Sequence, residues 1–172
     1  MARPIRYALE YCSRDKYGIQ FVERYEMRNG QMTGKYERTY ADGRIVNGSY
    51  QNGVEHGIQE THYPDGFVST FKFRNGMYYG RARYRAYEGI YNIRYKNGIP
   101  EGKATLLYTN GCLETFHYTQ GILSGPATRE YPNQFIEHFT YVNGVPSGPA
   151  RMLDAKGLLV ESYFYENGKK VV

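Results

Sequence analysis

At 172 residues, with 41% hydrophobic and 23% charged side chains, the chain has the size of one domain and is too apolar to be disordered. No apolar run approaches the roughly 20 residues of a membrane helix, and the opening Met-Ala-Arg-Pro-Ile-Arg has no leader core, so an intracellular protein is expected, neither secreted nor transmembrane. Cys12 and Cys112 share no metal-site spacing and read as isolated thiols, and a net charge of +5 with a pI near 9.1 leaves anionic partners open.

In chain order, residues 1–28 predict a degenerate first unit, with strands at 5–12 and 20–27 closing across Arg14-Asp15-Lys16-Tyr17-Gly18. From there a ruler runs to the end: Asn29-Gly30, Asn52-Gly53, Asn75-Gly76, Asn97-Gly98, Gln120-Gly121, Asn143-Gly144 and Asn167-Gly168, in steps of 23, 23, 22, 23, 23 and 24 residues. A fixed period of this length marks an array whose units bury their apolar faces only against neighbours. Five residues after the Asn, six units carry Gly34, Gly57, Gly80, Gly102, Gly125 and Gly148. A second turn glycine follows at Gly43, Gly66, Gly89, Gly111 and Gly157, with Gln134 as the exception. Asn-Gly and Asp-Gly supply the positive φ that tight hairpins need. Each unit therefore reads as loop, strand, turn, strand.

The strand before each Asn alternates with period two. Met27, Tyr50, Phe73, Tyr95, Tyr118, Tyr141 and Tyr165 stand two before it; Tyr25, Gly48, Phe71, Ile93, Phe116, Phe139 and Tyr163 stand four before it. Mostly polar residues lie between. A further apolar column, Val22, Ile45, Val68, Ile90, Leu113, Ile136 and Val160, has the opposite parity. Either the strand bulges near its turn or these side chains fill a second face, the bulge being the preferred reading. The facing strand carries Ala82, Ala104, Ala127 and Ala150, small enough for a ring to lie across, with Tyr36 and Gln59 breaking the rule. No helix is expected. The fold class is all-β: an elongated, twisted, single-layer antiparallel meander of hairpin repeats of about 23 residues.

These residues resemble MORN repeats. The closest segments are Tyr50-Gln51-Asn52-Gly53-Val54-Glu55-His56-Gly57 and Tyr63-Pro64-Asp65-Gly66. The resemblance covers about residues 20–170 and departs in two ways: Ala mostly replaces a second glycine after the loop, and there is no Trp. The variant is similar to the MORN half of SET-domain lysine methyltransferases and to bacterial and giant-virus repeat proteins. The resemblance implies a non-catalytic module that binds proteins or membranes, or builds assemblies such as a virion or cytoskeletal particle. It divides 1–172, one domain, into a cap at 1–28, six repeats at 29–166 and a truncated cap at 167–172.

Candidate chemistry is thin. The four histidines are scattered; His117 and His138 lie in neighbouring units two residues out of register. Glu114, Glu137 and Glu161 share the position six before the Asn and read as a solvated acidic column relieved by nearby cations. No phosphate loop or nucleophile elbow is present, and neither a metal nor a cofactor is expected, so the chain reads as a non-enzyme. Two interaction surfaces are expected. One is the aromatic face of Tyr95, Tyr118, Tyr141, Tyr165, Phe116 and Phe139, docking protein partners. The other is a basic patch of Lys72, Arg81, Arg83, Arg85 and Arg94, suited to an acidic protein or to anionic phospholipid headgroups, and less to nucleic acid. The leading reading is a scaffold within a larger assembly; the alternative is a peripheral membrane tether. Open sheet edges allow self-association.

Overall fold

The structure, a computed structural model, describes residues 7–171, with side chains from residue 12 onward. The expected strand residues Ile5 and Arg6, the opening Met-Ala-Arg-Pro and the final Val172 lie outside these residues. All regular structure among them is antiparallel β, with no helix. The chain groups into two compact units, the first ending at Ala82 and the second beginning at Arg83.

The first unit holds β1 (Tyr7–Arg14), β2 (Gln20–Arg28), β3 (Gln31–Tyr40), β4 (Ile45–Gln51), β5 (Val54–Glu55), β6 (Gly57–His62), β7 (Val68–Arg74) and β8 (Met77–Tyr78). The strand β9 (Gly80–Arg85) carries the division. The second unit continues with β10 (Gly89–Lys96), β11 (Ile99–Pro100), β12 (Gly102–Tyr108), β13 (Leu113–Thr119), β14 (Ile122–Leu123) and β15 (Gly125–Glu130). It ends with β16 (Ile136–Val142), β17 (Val145–Pro146), β18 (Gly148–Leu153), β19 (Leu159–Glu166) and β20 (Lys169–Val171). Each unit is an open meander in which a strand pairs with the next in sequence, as the turn spacing predicts.

Turn chemistry builds this pattern locally. At every Asn-Gly tip both residues are left-handed, with φ of 49–53° at the Asn or Gln and 75–88° at the Gly, the combination of a two-residue type I′ hairpin. Within each unit, successive tips also lock together. Gly53 N donates to Met32 O at 2.9 Å and Gly76 N to Glu55 O at 2.8 Å; Gly121 N donates to Pro100 O at 3.0 Å and Gly144 N to Leu123 O at 2.9 Å. The opposite turns are three-residue loops, except at Ala86–Gly89, where the loop is one residue shorter. Tyr40 N to Arg44 O and Gly43 N to Tyr40 O close one of them, and Asp42 Oδ1 accepts from Arg44 N, an Asx turn that explains the acidic or amide residue before that glycine.

One face of each unit is its core. In the first, Tyr36, Val46 and Tyr50 are buried against Tyr25, Met32 and Tyr40. In the second, Ile93, Phe116, Phe139, Tyr141 and Tyr163 pack with Ala104, Leu106, Ala127 and Ala150. The alanine rule has a direct cause: Ala104, Ala127 and Ala150 pair with Phe116, Phe139 and Tyr163 across neighbouring strands. The exception at Tyr36 is a reciprocal swap. Its cross-strand partner is Gly48, where other repeats put a ring, and a Cβ on Gly48 would fall 2.5 Å from the Tyr36 ring.

Of the two readings of the opposite-parity column, the second face holds at Leu113 and Ile136 and the preferred bulge does not. Leu113 and Ile136 pair in regular register with Leu107 and Glu130 and lie on the other face, half-buried. The register does shift at this column in the last repeat, where Met152 faces Glu161 and Leu153 faces Leu159, leaving Val160 as the extra residue.

Candidate interaction site

The cross-strand register lines up one residue per strand on the core face. In the second unit the row runs Leu106, Glu114, Arg129, Glu137, Met152, Glu161. In the first it runs Glu23, Arg38, Val46, Thr61, Ser69. Two carboxylates in the second row, Glu114 and Glu137, are each only 1% exposed. This corrects the expected solvated acidic column. Long tyrosines and an arginine from neighbouring repeats lie over the two acids, and only Glu161 keeps the expected surface character, paired to Lys170 at 2.7 Å.

Burying a carboxylate is costly unless its lone pairs are met, and here they are. Glu114 Oε1 accepts from the Tyr141 hydroxyl at 2.6 Å; its Oε2 accepts from Tyr108 at 2.8 Å and from Arg129 Nε and Nη2 at 3.0 and 2.9 Å. Glu137 Oε1 accepts from Tyr163 and Tyr165 at 2.5 and 2.6 Å; its Oε2 accepts from Tyr131 at 2.9 Å and Arg129 Nη1 at 3.0 Å. Burial by itself raises the pKa of Glu137, but the three tyrosine hydroxyls and Arg129 outweigh it and hold the carboxyl below the usual range. Burial, then hydrogen bonding and proximity to Glu137, pushes the Tyr165 phenol up to about 12.

The first unit repeats the device. Glu23 Oε1 accepts from Arg38 Nε at 2.9 Å and from Tyr50 at 2.8 Å, while Arg38 Nη1 reaches Glu55 at 3.1 Å. Sequence reading missed Glu23, Arg38 and Arg129. The signal was present: Glu23 stands six before Asn29, and Arg38 and Arg129 stand nine after Asn29 and Gln120.

The expected aromatic contact face takes its place inside this core. Phe116, Phe139 and Tyr141 are buried, and Tyr95, Tyr118 and Tyr165 are half-buried against them. Rings on a single layer shelter one another and the row, so they supply packing before they supply contact area. Of the basic residues, Lys72 and Arg81 are exposed in the first unit and Arg83, Arg85 and Arg94 in the second. Arg81, Arg83 and Arg85 alternate with buried Ala82 and half-buried Tyr84 along β9, as the period-two reading requires.

Two outward features remain. At five of the seven hairpin tips, the residue two after the Asn or Gln is apolar and exposed: Val54 and Met77 in the first unit, and Ile99, Ile122 and Val145 in the second, the last three 48, 52 and 44% exposed; Gln31 and Lys169 hold the position at the other two. On the outer face of the second unit lies a groove that includes both His117 and His138. Among the described residues, no three His, Cys, Asp or Glu side chains converge as metal ligands would, and Cys12 and Cys112 are both free thiols.

The MORN repeat family model matches residues 94–113, which run from β10 through β12 to the start of β13 and include the Asn97-Gly98 tip and the Gly111 turn. No curated protein matches the chain. The matched repeat, together with the recurrence of its turns at the same spacing in both units, makes this chain similar to MORN-repeat proteins.

Proposed function

We propose that the chain is a non-catalytic protein-interaction module that acts as a scaffold within a larger assembly. The observation that carries this is the tip column: Ile99, Ile122 and Val145 occupy one position in three successive repeats, are apolar, and are about half exposed. Exposed apolar residues scattered singly need no explanation, whereas a contiguous patch marks an interaction surface. MORN repeats in general serve as protein or membrane interaction modules, which agrees with this reading. The acids best placed for chemistry, Glu114 and Glu137, are committed to tyrosine and arginine partners.

The test is native isolation of the wild-type chain and of the triple variant Ile99→Ser, Ile122→Ser, Val145→Ser, followed by size fractionation and mass spectrometry. Partners recovered in fixed ratio with the wild type and lost from the variant are expected. A wild-type chain that migrates alone, or a variant that keeps the full partner set, sinks the reading.

A membrane tether is the second reading, favoured by the exposed cations Lys72 and Arg81 of the first unit and by the Arg74 guanidinium seated 3.7 Å from the Tyr79 ring centroid. It requires binding to anionic vesicles that weakens as salt is added; salt-independent or absent binding removes it.

A further inference from the structure

The outer face of the second unit carries an open groove of about 790 Å³. Its floor is a cross-strand row, Thr115, Thr128, His138, Arg151 and Ser162, one side chain from each of β13, β15, β16, β18 and β19. Lys103 and His117, paired across β12 and β13, flank it, and Pro126, Pro149 and Phe164 give apolar walls. No acidic side chain lines the groove. Lys103 and Arg151 are exposed, and among the described residues neither has an ion-pair partner. The corresponding row of the first unit reads Arg24, Glu37, Asn47, Glu60, Thr70, with two carboxylates in it. The same backbone position is therefore acidic in one unit and basic and hydroxylic in the other.

We propose that this groove docks an extended acidic segment of a partner protein, its carboxylates meeting Arg151 and Lys103 and its polar backbone meeting the hydroxyls. The inference deepens the scaffold reading and rests on it. Length argues for a linear ligand. Five strands at about 4.8 Å make a row of roughly 19 Å, the span of about six residues of extended chain, where a single phosphate would reach one or two of these groups. Charge argues for acid, because two uncompensated cations and no carboxylate face the ligand. Stacking argues against single-stranded nucleic acid, which binds on successive exposed rings; Phe164 is the one exposed phenyl or phenol ring in the groove. The row also crosses the strands at right angles, so side chains recognise the ligand rather than a sheet edge.

The test uses the full chain, isotopically labelled, and three probes: a hexapeptide alternating Glu and Gly, its Gln counterpart, and phosphatidylserine vesicles. Amide shifts at Thr115, Thr128, His138 and Ser162 are expected with the Glu peptide, with binding at least about tenfold weaker for the Gln peptide and in Lys103→Ser/Arg151→Ser. An unchanged melting curve confirms that this double variant folds. Equal binding of both peptides, shifts elsewhere, or vesicle binding without peptide binding overturns the proposal. So does a dimer lost in the double variant, which would make a second copy the occupant. The partner set from native isolation separates the two levels. If it survives the double variant but not the tip-column variant, the groove fails and the scaffold stands; if the wild type has no partners, the scaffold reading itself fails.

Discussion

The Tyr141 hydroxyl donates to Glu114 Oε1 at 2.6 Å across 27 positions of sequence. Tyr50 makes the same bond to Glu23, also across 27 positions, at 2.8 Å. Each bond ties the acid of one repeat to the tyrosine two before the next repeat's Asn. It is a stitch between neighbours, the only kind of contact by which such an array gains cooperativity.

Breaking the stitch should be measurable. Tyr141→Phe leaves Glu114 buried and short of one donor, and hydrogen bonds to charged groups are worth about 1.5–3 kcal/mol. Urea denaturation should show a loss of this order. Tyr87→Phe, at a side chain 98% exposed, should stay within about 0.5 kcal/mol of wild type.

The pH dependence follows from the same network. The folded Glu137 pKa lies below its ordinary 4.5, so the unfolded chain takes up the proton first. The stabilisation is complete at neutral pH and is lost as pH falls below about 4.5. At the alkaline end the sign reverses. Burial and Glu137 raise Tyr165, and burial and Glu23 raise Tyr50, each to about 12. The unfolded phenols ionise first, near 10, and stability declines from there toward pH 12. Chemical denaturation across pH should show both limbs, with the acid limb shallower in Glu137→Gln.

Gln134 sits at φ 67° where the sibling turns at Gly43, Gly66, Gly111 and Gly157 carry glycine at 80–86°. A left-handed non-glycine residue costs roughly 1–2 kcal/mol. Gln134→Gly should raise the melting temperature, and no change would show that the loop relaxes around Gln.

The Tyr36–Gly48 pair gives a double-mutant test. Gly48→Ala alone should be destabilising, because the new Cβ meets the Tyr36 ring. Tyr36→Ala alone should also be destabilising, since it empties core. Tyr36→Ala/Gly48→Phe rebuilds the alanine-under-ring pairing of the other repeats, and the cycle should show a favourable coupling of about 0.5–3 kcal/mol. Additive losses would refute the swap.

The repeat frame was legible because its determinants are local. An Asn-Gly or an Asp-Gly takes its left-handed conformation from its own side chains and lack of them, whatever the rest of the chain does, and alternation then assigns Phe116 and Tyr118 to one face. The bulge expected at the Leu113 column failed for a non-local reason. Outward apolar residues of neighbouring strands shelter one another, so the column needs no change of facing.

What sequence by itself determined was the period, the turns and the strand faces, all properties of short segments. Only the tertiary structure decided that Glu114 and Glu137 are interior. Their burial depends on Tyr108, Arg129, Tyr131, Tyr141, Tyr163 and Tyr165 arriving from successive repeats. A carboxylate reads as solvated until the donors that replace its water are in place, and those donors are brought to it by the register of the sheet.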